Sequence, residues 1–121
     1  MSKYHNRKVR TSDGIVHDSR KEAVRWNDLK LMEKAGEITE LKRQMEFLLI
    51  PPQYEEIETA GRKKKTKRKL VERGCVYRAD FVYHDKNGEM VLEDTKGYTT
   101  KDYIIKRKLM LYVYGIRIRE V

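Results

Sequence analysis

YRADFVYHDKNGEMVLEDTKG, residues 77–97, is the stretch that decides the fold. Two β-prone runs flank a Lys86-Asn87-Gly88 turn, so the segment reads as a hairpin. Side chains alternate along a strand. In the first arm Tyr77, Ala79, Phe81 and Tyr83 fall on one face, and Arg78, Asp80, Val82 and His84 on the other. In the second arm Met90, Leu92, Asp94 and Lys96 share a face, opposite to Val91, Glu93 and Thr95. A three-residue loop with Gly88 left-handed sets Asp85 against Glu89, His84 against Met90, Val82 against Leu92 and Asp80 against Asp94. A two-residue Asn87-Gly88 loop would instead set Asp80 beside Thr95 and Glu93. The three-residue loop groups the apolar Val82, Leu92 and Met90, and is the one expected here.

Two opposed carboxylates repel unless a proton or a cation lies between them. Oxygen ligands of this kind select a hard ion, Mg²⁺ or its substitute Mn²⁺. The plainer alternative pairs each acid with Arg78, Lys96 or Lys101.

Upstream, Ser19 and Glu22 form an S-x-x-E capping box. It opens a helix expected from Arg20 to Ala35, with Gly36 just past its end. Trp26 and Leu29 stand four and seven residues beyond Glu22, within about 40° of it around the axis. Glu22 is therefore on or near the buried stripe, although capping alone also accounts for it. A helix packed on the acidic sheet face would add Glu22 to Asp80 and Asp94.

Elsewhere, KVRTSDGIVH, residues 8–17, suits a small hairpin around Ser12-Asp13-Gly14. Ile38 to Ile50 reads as a strand bent near its middle and stopped by Pro51-Pro52. Gln44 on it faces the site in one reading. Residues 53–61 are ambiguous. Residues 62–73, RKKKTKRKLVER, carry eight positive charges and one negative. They read as a solvated loop or as a phosphate-contacting loop or strand pair. Thr99 or Thr100 caps a second helix ending at Gly115. Its apolar stripe is expected at Ile105, Leu109, Tyr112 and Val113, and IRIREV closes the chain as a strand. Trp26, Phe81 and Tyr112 are assigned to the core. The fold class is α/β (α+β): a mixed central sheet flanked by helices, in one domain over 1–121 with a loose N-terminus at 1–7.

The chain has 121 residues, a net charge of +9 and 39% charged residues, a basic excess that points to a polyanion such as nucleic acid. One cysteine excludes an internal disulfide and a cysteine-based zinc site. No segment approaches the roughly 20 apolar residues of a membrane helix, and the N-terminus lacks a signal peptide's apolar core. A cytoplasmic location is expected.

A helix bearing Glu, strands carrying D-x(13)-[D/E]-x-K, then a helix and a strand resembles the PD-(D/E)XK nuclease superfamily. The likeness runs from about Ser19 to Val121. SRKEAVRWNDLKLMEKAGEI, YRADFVY, VLEDTKG and YGIRI are similar to a phage and prophage family. That family is catalogued as a domain of unknown function, with ties to Holliday-junction resolvases and transposon end-cleaving endonucleases.

The resemblance implies a restriction-endonuclease-like αβββαβ core and a Mg²⁺-dependent endodeoxyribonuclease acting on branched or recombination-intermediate DNA. It implies Asp80, Asp94, the Thr95 carbonyl and Glu22 as metal ligands. Lys96 would orient the attacking water or stabilise phosphate charge, and Gly97 would allow close approach of DNA. Ala79 replaces the motif's Pro. Asp94 stands where Glu is more usual, and a one-residue slip would make Glu93 the ligand. Arg62, Lys63, Lys64, Lys65, Lys67, Arg68, Lys69, Lys101, Lys106, Arg107 and Lys108 would contact phosphates. Symmetric cutting of a junction would need a homodimer. The competing readings are a nucleic-acid-binding module without catalysis, and a subunit of a recombination or packaging complex.

Overall fold

The structure is a computed structural model that describes residues 7–61, 65–95 and 100–121. It is a mixed α+β fold. β1 (Val9–Arg10) and β2 (Val16–His17) make a small hairpin, followed by α1 (Arg20–Lys34). β3 (Thr39–Ile50) leads into a separate hairpin, β4 (Gln53–Glu58) and β5 (Thr66–Glu72). β6 (Cys75–His84), β7 (Met90–Asp94), α2 (Lys101–Tyr114) and β8 (Arg119–Glu120) complete the chain. The central sheet has the order β3-β6-β7-β8, antiparallel except for the parallel β7–β8 pair. Without the β4–β5 insertion the order from α1 onward is αβββαβ.

Local chemistry explains the boundaries. The Ser19 hydroxyl accepts the Glu22 N–H at 3.1 Å and opens α1, while the Glu22 carboxyl turns inward instead of closing the box. The Thr100 hydroxyl accepts the Tyr103 N–H at 3.0 Å and opens α2, which stops at left-handed Gly115. The β6–β7 turn is the three-residue bulged form. Gly88 has φ 79°, its N–H donates to the Asp85 carbonyl at 3.0 Å, and the Asp85 N–H donates to the Glu89 carbonyl at 2.9 Å. His84 accordingly pairs with Met90 and Val82 with Leu92, the register expected from the sequence.

Two apolar clusters flank the sheet. Trp26 and Leu29 of α1 pack with Ile38, Phe81 and Tyr83. Tyr103 and Met110 of α2 pack with Phe47, Leu49, Tyr77, Ala79, Val82 and Leu92.

This partition corrects the simple alternation. Tyr77 and Ala79 belong to the α2 side, whereas Phe81 and Tyr83 belong to the α1 side. β3 does the same, with Leu41 against the α1 cluster and Met45 against the α2 cluster. The switch falls where Gln44, at φ 57°, stands between the Arg43–Phe81 and Met45–Ala79 pairs, opposite Asp80. The register is unshifted across this point, so β3 and β6 change sides together.

The second helix departs from expectation too. Of the predicted stripe only Leu109 packs on the core; Ile105 is 58% exposed, Tyr112 is 88% exposed and Val113 is exposed, so Tyr112 is not a core residue. Apolar residues stand on nearly every side of this helix, so periodicity did not single out one stripe. The Tyr103/Met110 stripe is buried, with the Tyr103 ring tilted against Tyr77 at 6.5 Å. At its far end the Tyr114 hydroxyl donates to the Leu48 carbonyl at 2.6 Å. The closing strand is only two residues long, because Ile116 and Ile118 pack on the α2 cluster before pairing begins.

Candidate functional site

The reversal point carries the polar chemistry. Asp80 Oδ2 accepts two hydrogen bonds from Thr95, from the backbone N–H at 2.8 Å and from the hydroxyl at 2.9 Å. Its side chain thus occupies the place where β7 would otherwise continue pairing. Asp94 is fully buried and accepts the Tyr77 hydroxyl at 2.7 Å. Tyr77 is within reach because the reversal moves it to the α2 side. Glu22 is 3% exposed, and its Oε1 accepts the Gln44 amide N–H at 3.0 Å. The Arg43 guanidinium is 3.9 Å and His17 Nδ1 3.8 Å from the same oxygen.

Electrostatics tie the three acids together. Burial raises the Glu22 carboxyl from its usual range to about 7, and the charges of Asp80 and then Asp18 add to the effect. Burial holds the Tyr77 phenol far above its ordinary value, with the Asp94 bond and the charges of Asp94, Tyr103 and Asp80 acting the same way. The charge of Asp80 acts both on Glu22 of α1 and on Tyr77, the partner of Asp94. His17 is fully buried, with Nε2 3.3 Å from the Thr11 hydroxyl. Burial and then Arg43 depress its pKa.

A cleft of about 340 Å³ opens beside these groups, with Asp80, Gln44, Tyr77, Tyr103 and Lys106 among its lining. All the candidate donors are oxygens, which suits a hard divalent ion. Among the described residues no three His, Cys, Asp or Glu side chains are grouped closely enough to hold a metal. Asp94 and Asp80 each accept from a protein donor on one carboxylate oxygen, and a carboxylate has lone pairs enough to keep such a bond while ligating a cation.

Glu93 has a different task. It is fully buried and held by Arg25 of α1 through two bonds of 2.7 Å, with the Tyr83 hydroxyl as a further donor. The side-chain alternation that separates it from Asp94 places it against the first helix.

Of the other residues singled out by sequence, Lys96 and Gly97 lie outside the described residues, as do Arg62, Lys63 and Lys64. Lys65, Lys67 and Lys69 are exposed on the β4–β5 hairpin, and Arg68 lies over the Tyr54 ring at 4.1 Å. Lys101 and Lys108 were expected on phosphates together with Lys106 and Arg107; Lys101 is exposed. Lys106 pairs with Asp102 at 3.6 Å and Arg107 with Glu120 at 3.2 Å. Sequence reasoning missed Tyr77, Arg43, His17 and Arg25. No local motif marks them, and strict alternation puts Tyr77 on the wrong face. No helix among the described residues is long and apolar enough to cross a membrane.

A family described as "Protein of unknown function (DUF1064)" covers residues 1–119. No curated protein and no solved structure matches the chain.

Proposed function

We propose that this chain, which belongs to the DUF1064 family, is a Mg²⁺-dependent DNA endonuclease of the PD-(D/E)XK kind. The observation that carries the reading is the run of carboxylates Glu22, Asp80 and Asp94. Asp80 and Asp94 stand just beyond the Phe81–Glu93 pair of β6 and β7, and Glu22 on α1 is under the Asp80 charge, inside an α-β-β-β-α-β order. Substrate would be branched or recombination-intermediate DNA, as the likeness to resolvase-related phage families implies, and the setting would be the cytoplasm of a host cell.

Glu22, Asp80, Asp94 and the Thr95 carbonyl would hold the ion. A bound divalent cation would supply Lewis acidity toward the scissile phosphate and a more acidic water. Gln44 orients the Glu22 carboxyl, and Thr95 orients Asp80. Lys96, two residues beyond Asp94, would orient the nucleophilic water and offset charge on the phosphate. Lys65, Lys67 and Lys69, on one face of the β4–β5 hairpin, would track backbone phosphates with Lys101, Lys106 and Arg107.

Incubation with branched and linear DNA in Mg²⁺, Mn²⁺ or EDTA tests the reading. Cutting is expected only with a metal, and Asp80→Ala or Lys96→Ala should abolish it while binding persists. Cleavage that survives both substitutions would remove the site. A second reading, a binding module without cleavage, is favoured by the protein partners that Glu22, Asp80 and Asp94 already have. It predicts a shifted band and no cut under every metal condition.

A further inference from the structure

The β4–β5 hairpin leaves the body as an arm. Every described residue in its two strands is exposed, and neither strand packs on a helix or on the central sheet. A two-stranded hairpin alone in water is marginal. This one displays Tyr54, Ile57, Leu70 and Val71, and the strands at its root add half-exposed Leu48, Ile50 and Val76. Tyr54 and Leu70 oppose each other on one face while Ile57 lies on the other, and an exposed apolar pair of this kind suits a protein partner, whereas nucleic-acid contacts are made mainly by polar and charged groups.

The register sorts the arm's charges. Tyr54 opposes Leu70, Glu56 opposes Arg68 and Glu58 opposes Thr66, so these six share one face. Glu55 with Lys69 and Ile57 with Lys67 occupy the other. On the first face the acids belong to β4 and the cation to β5. Pairing edge to edge about a two-fold would put β4 acids against β4 acids, or β5 cations against β5 cations, and is disfavoured. Stacking the Tyr54 faces of two arms about a two-fold along the strands lays each β4 over the other arm's β5. Glu56 then meets Arg68 of the second copy, and Tyr54 meets Leu70 of the second copy.

We propose that the Tyr54–Glu56–Arg68–Leu70 face of the arm docks a second copy of this chain. The opposite face, with Lys67 and Lys69, stays open. The proposal goes beyond the nuclease reading and does not depend on it, since its test contains no DNA.

Light scattering over a concentration series should show a dimer. Leu70→Ala should weaken it about tenfold or more, as expected for a central apolar contact. Glu56→Arg and Arg68→Glu chains should each be monomeric, and an equimolar mixture should dimerise. In a Cys75→Ser background, a Glu56→Cys chain and an Arg68→Cys chain should cross-link on oxidation when mixed, and neither should cross-link alone. This second readout holds even if reversed charges loosen the hairpin. A chain that is monomeric throughout overturns the proposal, and so does a dimer indifferent to Leu70→Ala. A monomer in which Leu70→Ala reduces only DNA binding assigns the face to DNA and also overturns it.

Discussion

Glu22 is the residue whose environment most alters its chemistry. Its carboxyl titrates near 7 in the folded chain and near 4.5 when unfolded, so the folded form keeps the proton longer. Stability should therefore fall as pH rises from about 4.5 through 7, with about 3 kcal/mol lost by pH 8. Glu22→Gln should remove that slope and melt higher than the parent at pH 8, which thermal unfolding at several pH values will show. If the site takes Mg²⁺, the ion should raise the melting temperature at pH 8 and do little at pH 5. Arg25 makes a separate prediction. Arg25→Ala would leave the buried Glu93 carboxyl without its two guanidinium bonds, and should cost about 3–5 kcal/mol by urea unfolding.

At the scale of elements, most of the plan was legible in the chain. The capping Ser19 and Thr100, the stop at Pro51-Pro52, the bulged turn at Gly88 and the Val82–Leu92 register all come from local rules. Those rules fix dihedral angles within a few residues. The sidedness of β3 and β6 was not legible, because it changes at the Gln44–Asp80 position, where Gln44 holds φ 57°, and glutamine carries no preference for that conformation. The same long-range event puts Tyr77 beside Asp94. The burial of α2 was also illegible, since the packing of Tyr103 against Tyr77 chooses among several apolar stripes. Residues 53–61 looked ambiguous because a fully exposed strand has no burial pattern to read. The arm's root is a tight joint: a Cβ on Gly74 would stand 3.1 Å from Pro52 Cδ and 3.2 Å from the Ile50 carbonyl oxygen. Gly74→Ala should cost about 1–3 kcal/mol. Faster proteolysis of the arm and a lower melting temperature would register it.

For the molecule as a whole, the two clusters share the β3–β6 ribbon, so they should unfold together in one transition. The hydroxyl of Tyr77 donates to Asp94, that of Tyr83 to Glu93 and that of Tyr103 to Glu120. Burial is the first cause that lifts all three phenols, Tyr83 to about 12 and the other two higher still. Tyr54, Tyr112 and Tyr114 are exposed. An alkaline titration monitored by ultraviolet difference absorbance tests this. The three buried rings should contribute only in a step that coincides with loss of near-ultraviolet dichroism. The phenols thus give the folded state a built-in optical gauge, read without any added dye.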